Sequence, residues 1–120
     1  MKQQPLLKSF AYAINGIVYF FANDRNGRIH LAAAVWVTIA GIYFNISVME
    51  WMILLLCIAL VISMEMLNHA LENICDSVHT AHHPLIKTAK DVAAAAVLCS
   101  AVISAVIGML IFVPKISAML

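Results

Sequence analysis

The sequence predicts an all-α membrane protein in which an N-terminal amphipathic helix precedes three transmembrane helices. Apolar residues make up 64% of the 120 positions and charged residues 11%. Soluble domains run near about 45–50% apolar and about 25% charged, so a mean hydropathy of +0.97 places this chain outside that class. Three stretches are long and apolar enough to approach the roughly 20 residues that cross ~30 Å of hydrocarbon. Ahead of them lies a segment whose apolar residues recur at helical spacing. A net charge of +1 excludes a strongly basic nucleic-acid binder, and the length allows a single domain.

The first element is expected at about residues 5–22. Leu7, Phe10, Ile14, Ile17 and Phe21 recur every three or four positions, with Lys8, Tyr12, Asn15 and Tyr19 on another face. That pattern fits a helix lying in the inner interface, either as part of a site or as a simple anchor of the bundle. Pro5 suits its first turn, and the run Asn23 to Gly27 ends it. Ala11-Tyr12-Ala13 resembles a signal-cleavage site, but Lys8 and Ser9 interrupt the apolar stretch before it, so the segment is expected to be retained.

Crossings are expected at about 29–46, 49–70 and 92–113. The last two belong to longer helices, one from about Val48 to Val78 and one opened by Pro84 and running toward Pro114, and both outreach the bilayer. Ser100, Ser104 and Gly108, beside Ala101 and Ala105, form a small-residue stripe suited to close helix packing. Three crossings put the termini on opposite sides. Lys2, Lys8, Arg25, Arg28, Lys87 and Lys90 flank one side, against Lys115 alone on the other. By the positive-inside rule the N-terminus and the 77–90 loop are cytoplasmic. Asp24, Glu65, Glu72, Asp76 and Asp91 lie toward that same side, and Glu50 lies toward the other.

Glu65, Asn68, His69, Glu72 and Asp76 stand at relative positions 0, 3, 4, 7 and 11. On a helix they share an arc of about 100°. Counted from Trp51 as an outer-interface anchor, Glu65 lies ~21 Å inward, Glu72 ~31 Å and Asp76 ~37 Å. An ionisable group at the depth of Glu65 costs at least about 2.5 kcal/mol, and a purely structural stripe could use Asn, Ser or Thr for less. One reading is a packing network in which Glu65 pairs with Lys90 or Asn68. The other is a lipid-level carboxylate with a metal-binding carboxylate two turns above it, which suits an enzyme joining a soluble phosphate donor to a lipid hydroxyl. Lys90-Asp91 could meet nucleotide phosphates, although lysines at helix ends often only snorkel. Asp24 is a third candidate carboxylate at the same depth.

His79, His82 and His83 near Asp76 invite a zinc reading, but no H-E-x-x-H or C-x-x-C accompanies them. Solvated loop histidines near a nucleotide fit better. Cys57, Cys75 and Cys99 are odd in number and set in apolar runs, so no disulfide framework follows. Neither a P-loop nor a Rossmann glycine turn occurs, and an ATP site would have to be built from helix side chains and metal.

Glu65-Met-Leu-Asn68-His-Ala-Leu-Glu72-x-x-x-Asp76, with His82-His83-Pro84-Leu85 and Ala89-Lys90-Asp91 downstream, strongly resembles the signature of the small prokaryotic integral-membrane lipid kinases. That family contains diacylglycerol kinase and undecaprenol kinase, and the resemblance runs from about Lys8 to Lys115. It implies a homotrimer with active sites shared between subunits, ATP as co-substrate with Mg²⁺, and a membrane lipid alcohol as acceptor. By motif, Glu65 looks like the catalytic base and Glu72 like the carboxylate holding Mg²⁺ with ATP. Asp24 stands where the family usually has a metal-binding Glu, and its reach is shorter. The resemblance also implies that Tyr12, Ala81, His82, His83, Lys90 and Asp91 contact ATP, and that Asn68 and Asp76 support the site. His30, Met49-Glu50-Trp51-Met52-Ile53 and 107–115 look like the undecaprenol branch, which makes undecaprenol the expected acceptor and diacylglycerol the alternative. From another class, the rival is a non-catalytic helix-bundle subunit with the polar stripe as helix glue.

Overall fold

The structure is a computed structural model, described over residues 5–78 and 83–120. It contains four helices, α1 (Leu6–Asn23), α2 (Arg25–Tyr43), α3 (Val48–Val78) and α4 (Pro84–Met119). The Cα radius of gyration is 17.8 Å, well above the ~14 Å of a compact globule of this length. The principal extents of 54 × 39 × 22 Å describe a flattened, elongated bundle.

Asp24 alone separates α1 from α2. It closes α1 through its backbone N–H to the Phe20 carbonyl, and its side chain accepts from Gly27 N at 2.9 Å to cap α2. Arg28 reaches back to the Phe21 and Ala22 carbonyls, 3.0 Å each, and satisfies the end of α1 from the next helix. An Asp at an N-cap lets a helix start at once, which is why α2 begins at Arg25 rather than near residue 29. Phe20, the one buried residue of α1, lies over the first turn of α2. A Cβ on Gly27 would stand 2.4 Å from its ring, so only glycine permits this seat.

The far end of α2 is Tyr43 rather than residue 46. Phe44 is the C-cap and Asn45 takes φ 51°, the left-handed conformation that Asn tolerates better than most residues. Asn45 N donates to Ile42 O and Ile46 N to Gly41 O, each at 3.2 Å, which is a Schellman stop. Ser47 and Glu50 then form a reciprocal capping box at the start of α3, with Glu50 N to Ser47 Oγ at 3.1 Å and Ser47 N to Glu50 Oε1 at 3.0 Å. Trp51 packs edge-on against Gly41, where a Cβ would sit 2.7 Å from the indole.

Pro84 does open α4, but the helix continues through Pro114 to Met119. Pro114 cannot donate to the Leu110 carbonyl, a cost that normally ends a helix. Here both flanks are held. Ile111 and Phe112 lie in the apolar core before the proline, and Lys115 pairs with Glu50 at 2.8 Å after it.

That core, Ile46, Leu54, Ile111 and Phe112, sits at one end of the bundle, where α2, α3 and α4 meet. Along the remaining length α3 and α4 turn large apolar side chains outward, among them Leu55, Leu56, Leu60, Val102, Ile103 and Leu110. Both helices are long and apolar enough to cross a membrane, and the fold is that of an all-α membrane protein. On the stripe of α4, Ser100 is buried and Ser104 half-buried, whereas Gly108 has open space beside its Cα. Only part of the small-residue stripe is therefore used inside this chain.

Candidate active site

At the other end of the bundle the polar stripe of α3 meets the α1–α2 junction. Its residues grade from buried to exposed along the helix. Glu65 is 2% exposed and Asn68 8%, His69 and Glu72 are half-buried, and Asp76 is open. The helical spacing thus sets one face.

Glu65 does not pair with Lys90. The imidazole of His30, on α2, approaches it with Nε2 at 3.8 Å from Glu65 Oε2. The Asp24 and Asn26 side chains lie beside it, and Glu72 acts on it through space. Asn68 Nδ2 donates to Glu72 Oε1 at 3.1 Å, while Asn68 Oδ1 is buried with no hydrogen-bond partner among the described residues. His69 points its Nδ1 at Asp24 Oδ1, 3.6 Å away, and its ring is flanked by Tyr19 and Phe20 with centroids 6.0 and 5.8 Å distant.

Lys90 reaches across from α4 to Asp76, Nζ to Oδ1 at 2.8 Å. Lying before the apolar stretch of α4, its ammonium is held above the ordinary lysine range, first by this hydrogen bond and then by the charge of Asp76. Asp91 faces a different way and pairs with Lys87 one turn back at 2.7 Å, both side chains well exposed. Lys90 and Asp91, adjacent in sequence, therefore serve different partners.

Tyr12 is exposed on α1. It stands seven residues before Tyr19, hence on the same face and ~10 Å along the axis. His83 is the N-cap of α4, its Nδ1 accepting from Leu85 N at 3.2 Å. Ala81 and His82 lie outside the described residues, as does His79 of the zinc reading.

The structure therefore brings together Asp24, Glu65, Asn68 and Glu72, sets the Asp76–Lys90 pair above them, and leaves Tyr12 and Asp91 apart. Asn26, His30 as a neighbour of Glu65, and the seat of His69 were not assigned from the sequence. His69 lay on the stripe, and only the fold could show that it faces the junction. Among the described residues no three His, Cys, Asp or Glu side chains could enclose a metal ion by themselves. The donors that do converge are carboxylate and amide oxygens. These suit Mg²⁺, a hard ion that keeps waters and is commonly completed by substrate phosphates.

An acidic cluster stands at one end of two helices apolar enough to cross a membrane, with a lysine–aspartate pair above it, an arrangement that fits a membrane enzyme. Residues 11–112 match the family model for prokaryotic diacylglycerol kinase. The chain is 48% identical over 109 residues to the undecaprenol kinase of Bacillus subtilis, covering 91% of this chain and 89% of that one. It is 38% identical over 116 residues to a diacylglycerol kinase of Synechocystis, covering 96% of this chain and 66% of that one. Against the diacylglycerol kinase of Escherichia coli K12 identity is 24% over 101 residues, 84% and 83% of the two chains. The chain belongs to the prokaryotic diacylglycerol kinase family, and it is a lipid kinase.

Proposed function

We propose that this lipid kinase transfers the γ-phosphate of ATP to the hydroxyl of undecaprenol, with diacylglycerol the alternative acceptor. The observation that carries the acceptor class is Glu65, a buried carboxylate on α3, a helix long and apolar enough to cross a membrane, ~21 Å along it from Trp51, where a soluble alcohol would not need it. The choice of undecaprenol is supported by the 48% identity to a relative of that name and by the branch-like segments around His30 and 49–53.

Phosphoryl transfer is mostly positioning and charge neutralisation. Glu65 accepts the proton of the lipid hydroxyl as the hydroxyl oxygen bonds to the γ-phosphorus and the bond from that phosphorus to the bridging oxygen breaks, releasing ADP. Asn68, its amide fixed by Glu72, offers the Oδ1 acceptor to the reacting groups. Glu72 and Asp24 would hold Mg²⁺ together with ATP, and the ion supplies charge neutralisation at the phosphates. Lys90, oriented by Asp76, balances charge on the nucleotide, with Asp91, Tyr12, Ala81, His82 and His83 completing its surroundings. Residues 1–120 act as one kinase domain. It has three crossings, α2 being the first, with the N-terminus and site on the cytoplasmic face of the inner membrane.

The assembly is a homotrimer with shared sites. The open Gly108 stripe and the many outward apolar side chains leave surface for both lipid and neighbouring copies. Purified protein in mixed micelles with γ-labelled ATP and undecaprenol tests the reading. Label appears in the lipid with wild type and is lost in Glu65→Gln, while lipid-independent ATP loss or no transfer to either lipid refutes it.

A further inference from the structure

We propose that His69 is a positioning residue for Mg²⁺-ATP, because it locks the Asp24 carboxylate that α1 and α2 share. This rests on the reading of Asp24 as a carboxylate serving the metal–nucleotide complex. Asp24 is a short side chain with two tasks. Its Oδ2 accepts from Gly27 N at 2.9 Å to cap α2, and Oδ1 takes no part in that bond. His69 Nδ1 lies 3.6 Å from that same Oδ1 and comes from a different helix, α3. At that distance the contact is an ion-pair approach and not a formed hydrogen bond, and a proton on Nδ1 draws the Asp24 carboxylate toward the ring. Tyr19 and Phe20 flank the ring, with centroids 6.0 and 5.8 Å away.

A packing role alone does not account for histidine here. His69 Nε2 is buried without a hydrogen-bond partner among the described residues, and an orphaned polar atom is destabilising. Leucine or methionine would fill the same volume without that cost. What an apolar residue lacks is a polar group toward Asp24, and this contact joins the Glu65 neighbourhood in tying the stripe of α3 to the capping carboxylate. His69 thereby couples the helix that carries Glu65, Asn68 and Glu72 to the junction that carries Asp24.

The test compares His69→Leu, which keeps bulk and loses the donor, with His69→Asn, whose Nδ2 can stand near the position of Nδ1. Two readouts are taken in micelles: the Kd for Mg²⁺-ATP by equilibrium titration, and KM against kcat with undecaprenol. His69→Leu should weaken Mg²⁺-ATP about tenfold in Kd and KM with kcat within about twofold, and His69→Asn should recover most of the loss. In an Asp24→Ala background, His69→Leu should change Kd no further. Unchanged Mg²⁺-ATP affinity in His69→Leu, or an equal loss in His69→Asn, overturns the positioning role. A loss confined to thermal stability does so too. Wild-type protein that binds no Mg²⁺-ATP would instead bring down the reading of the site itself.

Discussion

Lys115 Nζ donates to Glu50 Oε2 at 2.8 Å across 65 positions of sequence, and both side chains are about a quarter exposed. The same glutamate uses its other oxygen to cap α3. One carboxylate thus starts α3 and holds the turn of α4 that follows Pro114.

Substitutions at this end should separate the two tasks. Glu50→Gln keeps an acceptor for Ser47 N–H and loses the charge, while Glu50→Ala loses both. Melting temperatures in micelles should fall in the order wild type, Glu50→Gln, Glu50→Ala, with Lys115→Ala near Glu50→Gln. Ser47→Ala should cost about 1 kcal/mol, as removal of an N-cap does. A Glu50→Ala variant as stable as wild type would show the cap and the pair to be idle.

Glu65→Gln should lower turnover by at least ~10²-fold, because it removes a proton acceptor without adding bulk. Mg²⁺-ATP affinity should stay within about threefold, and the melting temperature should rise, since an amide is less costly than a carboxylate at that depth. Substantial turnover in this variant would take the base role from Glu65.

Glu72→Ala should weaken Mg²⁺ and ATP together, because a Mg²⁺ site of this kind is completed by phosphate oxygens. It also frees Asn68 Nδ2, so Glu72→Gln, which keeps an acceptor, separates loss of charge from loss of that bond. A binding titration with unchanged affinity in both variants would remove Glu72 from the metal site.

Asp24 requires a paired comparison for the same reason. Asp24→Ala should destabilise by about 1 kcal/mol through loss of the α2 cap, whereas Asn caps as well as Asp does. Asp24→Asn should therefore melt near wild type and still bind Mg²⁺-ATP more weakly, by less than Glu72→Ala does. Equal stability of the two variants would contradict the capping geometry.

Undecaprenol should be preferred over diacylglycerol in kcat/KM. A bare polyprenol brings one hydroxyl and no ester groups, and Ala93 and Ala94 follow Lys90-Asp91 where a polar headgroup would look for partners. A tenfold preference for diacylglycerol, about 1.4 kcal/mol in transition-state binding, would reverse the assignment of acceptor and leave the kinase intact.

Much of this was legible from spacing. The face from Glu65 to Asp76, the long α3 and the start of α4 at Pro84 follow from helical periodicity and proline chemistry, which are local. Ser47-Val-Met-Glu50 is also a local signal, a capping box open to reading, and it went unread. What spacing could not give were the cross-helix choices. Lys90 takes Asp76 rather than Glu65, His69 turns to Asp24, and Phe20, off the apolar stripe expected of α1, is the residue that α1 buries. Each depends on how helices distant in sequence are juxtaposed, and periodicity carries no information about that. The helix past Pro114 belongs with them, since its support comes from Glu50.

The one-residue joint at Asp24 leaves no slack between α1 and α2. A surface helix on a flexible tether could settle at its own depth, indifferent to what its neighbour does. Here a tilt of α2 that keeps the Asp24 cap and the Arg28 contacts carries α1 with it. Since the joint is itself a carboxylate of the acidic cluster, the position of α1 and the geometry beside Glu65 are linked through Asp24.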